Sequence, residues 1–443
     1  MHEFDVHAGN SRRKRVGLEP ENWTIGGYGL KRKLTIGAAL VALVFALGVG
    51  AVVLQKRVPV QAAGIQAPRF EVDPMWPKPL PNHWILGMTI GVSVDAQDHI
   101  WIIHRQGSLD PKETYSQQNP VAGDCCAAAP PVLEFDEAGN LIGHWGGPGP
   151  GYDWPVSTHG ITVDYQGNVW IGGNGNGNGG SGPVVDEVEG HVDPGAYHDS
   201  MILKFTQAGK FLMQIGKAGA SKGSNDVANL RGPAKMWVDP KTNELYVADG
   251  YGNKRVIVFD ADTGTYKRHW GAYGHKPDDT DPGAYNPDAP HDQQFRSPVH
   301  CAVLSDDNLL YVCDRLNDRI QVFKPDGTFL RESFFYPRTL GDGSIWDLAF
   351  SKDPQQKYLY ASDGTNQKVH IIDRETLEVL TSFGDGGRQP GEFYAVHGIA
   401  TDSKGDIFTT ETYHGQRVQK FVYKGLAPVT TLDQGVVWPK PSE

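Results

Sequence analysis

Thr158-His159-Gly160-Ile161-Thr162-Val163-Asp164, a short turn, then Asn168-Val169-Trp170-Ile171 is the stretch that decides the fold. An apolar strand ends in an acid, turns tightly and returns as a second apolar strand. The unit recurs along the chain. It reads Gly91-Val92-Ser93-Val94-Asp95 with His99-Ile100-Trp101-Ile102-Ile103, and Lys235-Met236-Trp237-Val238-Asp239 with Glu244-Leu245-Tyr246-Val247. Ala302-Val303-Leu304-Ser305 precedes Leu310-Tyr311-Val312, and Leu348-Ala349-Phe350-Ser351 precedes Tyr358-Leu359-Tyr360. Ile399-Ala400-Thr401-Asp402 precedes Asp406-Ile407-Phe408. Outer strands follow: Arg319-Ile320-Gln321-Val322-Phe323 meets Phe329-Leu330-Arg331 across Asp326-Gly327-Thr328, turn residues that supply positive φ. Six copies of a four-stranded unit predict an all-β, six-bladed β-propeller. The last copy runs out after Val418-Gln419-Lys420-Phe421, and Arg69-Phe70-Glu71-Val72 can pair with that open edge and close the ring.

Composition agrees with short strands and tight turns: 54 Gly, 30 Pro and only 21% charged residues in 443. A net charge of −11 argues against a nucleic-acid partner, which would want a basic face. The N-terminus carries a topological signal. Residues 1–33 are polar and basic, with Arg12-Arg13-Lys14-Arg15 and Lys31-Arg32-Lys33, and no residue from Leu34 to Leu54 is charged. As a helix that stretch spans about 31 Å, the thickness of a bilayer core. We expect a cytoplasmic segment over 1–33, a transmembrane or signal-anchor helix over 34–54, a linker over 55–68, a propeller over 69–425 and a Pro-rich tail over 426–443. Basic residues before the span place the propeller outside the cytoplasm, membrane-anchored, periplasmic or extracellular. Val60-Gln61-Ala62 is an acceptable cleavage site, and cleavage there would make the protein secreted. Of four cysteines, Cys125 and Cys126 are neighbours, while Cys301 and Cys313 fall on consecutive strands, near in space but on opposite pleats. The expectation is no essential disulfide.

The long insertions, 106–131, 173–199, 217–232, 272–298 and 385–396, all fall on the face where the first strands begin. Function commonly sits on such loops. At one matching position of the first strands the blades offer Ile90, His159, Ala234, His300, Trp346 and His397. A lone histidine there is usually structural. Three at alternate blades and equal depth predict one shared metal ion, with an open fourth position as in catalytic zinc sites. Zinc suits imidazole, and iron, copper or nickel are compatible with the same donors. Cys313 reads as a packed thiol or a soft ligand. Arg105 and Arg315 end second strands at the same mouth, in opposed blades, and Tyr251 follows the equivalent point of the third. The arginines are either solvated and paired or a clamp for an anionic substrate. A tyrosine beside them and a metal could move a proton.

These residues resemble the peptidyl-α-hydroxyglycine α-amidating lyase family, whose fold is a six-bladed propeller with NHL-type repeats. The resemblance covers roughly residues 90–425. It implies zinc on His159, His300 and His397. The family's Asp-Gly-Tyr then Asn-x-Arg stands as Asp249-Gly250-Tyr251-Gly252-Asn253-Lys254-Arg255, with Tyr251 the implied base. Its Ala-Asp-Arg-x-Asn-x-Arg-Ile-Gln stands as Cys313-Asp314-Arg315-Leu316-Asn317-Asp318-Arg319-Ile320-Gln321, and its early His-Arg as His104-Arg105. There are departures. The family's structural calcium uses an Asp after the third histidine, where this chain has Gly398, which argues against Ca2+. The family's cysteine after the tyrosine is Gly252, and a partner monooxygenase domain is not expected within these 443 residues.

The resemblance implies a zinc-dependent carbon–nitrogen lyase. It would cleave an α-hydroxyglycine-like carbinolamide, or a related hemiaminal, to an amide and glyoxylate. The substrate would be a small or peptide-like molecule with an anionic end, held by Arg105 and Arg315. Two other classes compete. One is a lactonase-like metal-dependent hydrolase, although such propellers favour carboxylate and Asn ligands, which this channel is expected to lack. The other is a membrane-tethered NHL-propeller binding module without chemistry.

Overall fold

The structure, a computed structural model, describes residues 64–175 and 199–439. The segment 1–33, the expected helix 34–54 and most of the linker lie outside the described residues. Among the described residues no helix is long and apolar enough to cross a membrane.

The described residues include six four-stranded antiparallel sheets, five of them running in chain order from an inner strand outwards. The inner strands are Met88–Val94, Thr158–Val163, Pro233–Val238, Val299–Leu304, Asp347–Phe350 and Val396–Thr401. This is the six-bladed propeller that the repeats predict. The sixth sheet is completed from the other end of the chain. Gln66–Asp73 pairs antiparallel with Arg417–Pro428, Phe70 opposite Tyr423 and Val72 opposite Phe421. Beyond that strand the tail stays attached: Val72 N donates to Val437 O, and Ser382 N to Leu432 O.

The acid that ends a first strand has a mechanical role. Asp164 Oδ1 accepts the main-chain N–H of Gln166 and Asn168 around the turn, while Oδ2 accepts Trp170 Nε1–H at 2.9 Å. Asp95 repeats this with Gln97, His99 and Trp101. The turn is thereby tied to a tryptophan wholly buried in its blade. Aromatic side chains of this size remove about 150–250 Å² from water, at about 25 cal/mol per Å². Blades then meet through clusters such as Trp101, Ile103, Ile161, Ile171 and Phe205.

The cysteines correct the expectation. Cys301 and Cys313 are directly cross-strand partners, joined as a disulfide with Cα atoms 4.8 Å apart. A register slip between Val299 and Cys301 brings both to the same side of the sheet. Cys313 is therefore no thiol ligand. Cys125 and Cys126 are also bonded to each other, in the loop that follows the second strand of the first blade.

Closure of the ring rests on few side chains. Phe70 is 3% exposed and packs on Tyr360, Phe383 and Tyr423. Phe70→Ala should lower unfolding stability in urea by about 3–5 kcal/mol. Leu330→Ala, at a 41% exposed site on an outer strand, should change it by about 0.5 kcal/mol or less.

Candidate active site

In five of the six blades the inner strand slips register at one place. The slips lie between Thr89 and Gly91, Thr158 and Ile161, Pro233 and Lys235, Val299 and Cys301, and Val396 and Ile399. The residues left unpaired include Ile90, His159, Ala234, His300 and His397. A bulge re-aims its extra side chain, here towards the channel. In the fifth blade Trp346 stands just ahead of the strand.

His159, His300 and His397 come together as expected, with ring centroids 4.9, 4.8 and 4.7 Å apart and exposures of 2, 2 and 4%. Each Nδ1 meets a main-chain carbonyl of the following blade. His159 meets Ala234 O at 2.9 Å, His300 meets Trp346 O at 2.5 Å and His397 meets Ile90 O at 2.6 Å. A carbonyl only accepts, so each Nδ1 carries the proton and each Nε2 presents a lone pair. Gly160 permits this approach. A Cβ there would lie 2.2 Å from Ala234 O, the carbonyl that His159 uses.

The Tyr251 hydroxyl lies 2.9 Å from His159 Nε2 and 3.0 Å from His300 Nε2. One hydroxyl proton cannot serve two lone pairs. Three buried imidazoles whose ring nitrogens lie within 4.8 Å of one another are a donor set that suits zinc or another transition ion. Burial, first of all, holds all three histidines well below their ordinary pKa. His397 and Arg105 add to this at His159, His397 and Arg315 at His300, and Arg315 and Arg105 at His397. Neutral imidazole is the ligating form.

Both arginines reach this centre. Arg315 Nη1 is 3.4 Å from the Tyr251 hydroxyl, Nη2 is 3.4 Å from Asp342 Oδ1, and the guanidinium lies 4.5 Å from the Trp346 ring centroid. Arg105 donates to Thr158 O at 2.9 Å and Asn174 Oδ1 at 2.8 Å, which fixes it in the wall beside His159. His104 is structural. It accepts Gly87 N–H on Nδ1 and faces Pro130 O with Nε2, and burial lowers its pKa to about 4.

The sequence motifs around Tyr251 and Arg315 are buried latches. Asp249 Oδ2 accepts Asn253 Nδ2 at 2.7 Å and Arg255 Nε at 2.8 Å; Asp314 Oδ2 accepts Asn317 Nδ2 at 2.8 Å and Arg319 Nε at 2.7 Å. Each latch pins a short loop, and the loop presents Tyr251 in one blade and Arg315 in the next. Sequence reading missed Asn174, Asp342 and Tyr413, whose hydroxyl donates to Asp342 Oδ2 at 2.8 Å. Tyr413 had a signal: Glu411-Thr412-Tyr413 matches Asp249-Gly250-Tyr251 in blade position. Asp342 had none.

The channel also holds a carboxylate that was not expected. Asp347 lines a small cavity of ≈ 20 Å³ with the three histidines, but it is paired with Lys235 at 2.5 Å. A second cluster, Asp95, His99 and Glu134, gathers at the opposite end of the first blade. Asp95 spends both oxygens on its turn, on Trp101 and on Gln207. The position where the resemblance implies an acidic calcium ligand is Gly398, and a Cβ there would lie 2.7 Å from Thr410 Oγ1.

No family model matches the chain. It is 26% identical over 351 residues to mouse peptidyl-glycine alpha-amidating monooxygenase, covering 76% of this chain and 30% of that protein. It is 23% identical over 384 residues to Drosophila melanogaster peptidyl-alpha-hydroxyglycine alpha-amidating lyase 1, covering 81% and 60%. Mouse NHL repeat-containing protein 3 is 25% identical over 325 residues, covering 71% of each chain. The chain thus resembles the amidating lyases and spans under a third of the length of the mouse monooxygenase.

The depressed histidines fix a pH dependence. Their folded pKa values lie below the ordinary 6.5, so their share of stability is intact above that pH. It is lost as pH falls, because the unfolded chain takes protons that the folded one refuses. Urea unfolding of the metal-free protein should show lower stability at pH 5 than at pH 7.5, with His104 alone contributing on the order of 1–2 kcal/mol. His104→Gln should reduce the slope.

Proposed function

We propose that the protein is a zinc-dependent lyase that cleaves the C–N bond of an α-hydroxyglycine-like carbinolamide to give an amide and glyoxylate. The observation that carries this reading is the gathering of His159, His300 and His397 at one point, with the Tyr251 hydroxyl against two of their Nε2 atoms and Arg315 3.4 Å from that hydroxyl. The resemblance to amidating lyases supports it. His159, His300 and His397 would hold the ion. When bound, the ion would supply Lewis acidity to the substrate hydroxyl, worth several kcal/mol.

The chain's own residues do the rest. Arg105 and Arg315 take the anionic end and orient the carbinol carbon. Arg315 also stabilises negative charge on the Tyr251 oxygen. Tyr251 removes the hydroxyl proton, the C=O of glyoxylate forms, and the C–N pair leaves on nitrogen. The nitrogen takes up a proton and departs as the amide. Asp342, itself held by Tyr413, keeps Arg315 beside Tyr251 until an anion competes for it.

We also propose that the propeller lies outside the cytoplasm, tethered through the uncharged stretch 34–54 or secreted. Two disulfides suit an oxidising compartment. The binding-module reading separates from this one by assay.

The purified full chain should contain about one zinc ion by elemental analysis and lose it in His300→Ala. It should release glyoxylate from α-hydroxyglycine conjugates. Tyr251→Phe should keep the metal and lower kcat about 10²–10⁴-fold. Arg315→Ala should raise KM for carboxylate-bearing substrates more than for their amides. A chain without metal and without turnover would leave the binding module as the better reading, and equal activity in Tyr251→Phe would remove the tyrosine's role.

A further inference from the structure

Beneath the three histidines the channel is closed by one ion pair. Lys235 comes from the inner strand of the third blade and Asp347 from that of the fifth. The ammonium meets Asp347 Oδ1 at 2.5 Å and Leu348 O at 3.4 Å. Asp347 Oδ1 also accepts Leu348 N–H at 2.8 Å, and its Oδ2 accepts Ile399 N–H, from the sixth blade, at 3.0 Å. One carboxylate and one ammonium therefore join the third, fifth and sixth blades across the axis. Inner strands of a propeller have no ladder partner on that side, so side chains supply the bonds across the channel. The side chains are 15 and 7% exposed.

The amidating-lyase resemblance implies a calcium ligand one residue before a contact of this pair. Position 398, whose acid is missing, adjoins Ile399, and Ile399 N–H binds Asp347. The only cationic centre the described residues place there is the Lys235 ammonium.

We propose that the Lys235–Asp347 pair is a built-in cation plug that ties the blades together in place of a bound divalent ion, so that the folded propeller needs no calcium. The proposal does not rest on the reaction above. A buried pair costs much desolvation, and removing one partner strands the other charge, whereas replacing both by apolar groups is near neutral. That asymmetry makes the plug testable.

Thermal unfolding of the full chain should give the same Tm in excess EGTA, with zinc restored, and in millimolar calcium. Lys235→Met, which keeps volume and removes charge, should lower Tm by about 5 °C or more or prevent folding. Lys235→Arg should lower it less, and Lys235→Met/Asp347→Leu should recover much of the loss. A wild-type Tm that rises with calcium would overturn the proposal. So would a Lys235→Met protein that melts with the wild type, or a double variant no more stable than the single one, since packing rather than charge would then hold the channel.

Discussion

Everything at the mouth depends on three hydrogen bonds from histidine Nδ1 to the carbonyls of Ala234, Trp346 and Ile90. The acceptors are the residues that occupy the same strand position in the blades without histidine. Donor and acceptor blades alternate around the axis, so each imidazole is pinned to its neighbour and its tautomer is settled by that neighbour's backbone. With Nδ1 committed, Nε2 has nowhere to present its lone pair but the axis. A ring that drifted by an ångström would lose these bonds before it lost its strand ladders. Metal-site geometry and blade spacing are thus one constraint.

The residues around that ring are placed by a different device. The carboxylates of Asp249 and Asp314 are wholly buried and would be costly alone. Each is neutralised by the arginine that opens the next strand and capped by an asparagine between them. The cost of burial is offset, and what remains is a rigid loop. Glu411 and Arg417 repeat the pairing in the sixth blade, at 2.6 Å, and their loop carries Tyr413. A structural repeat has been used in three blades to present three polar side chains towards one opening.

Much of this is legible in the sequence because it repeats. The strand–turn–strand units, the closing strand around Phe70 and the alternation of His159, His300 and His397 are all periodic features, and period is what a sequence displays. Aperiodic contacts are not visible in that way. Asn174 reaches Arg105 and Asp342 reaches Arg315 from loops whose paths no pattern dictates. Lys235 and Asp347 sit at matching positions in non-adjacent blades, and only ring closure brings them together. The cysteines failed for a subtler reason. Strict alternation puts Cys301 and Cys313 on opposite pleats, but the bulge that aims His300 at the axis also resets the register after it. The feature that makes the site removed the basis for the pleat argument.

Charge at the mouth runs against charge over the chain as a whole. The protein carries −11, yet the walls of its central pit hold Arg105, Arg315 and Lys235 around three imidazoles kept neutral by burial. Cations already placed in a low-dielectric pit resist protonation of the histidines, and the same cations attract an anion. Asp342 shows the balance. It is close enough to hold Arg315 but, at 3.4 Å and 29% exposed, it is not locked into a buried pair as Asp249 and Asp314 are with their latches. A carboxylate arriving from solvent competes with one half-exposed acid rather than with a buried one. The arrangement therefore keeps Arg315 aligned over Tyr251 while leaving its charge available, which a fully buried partner would not allow.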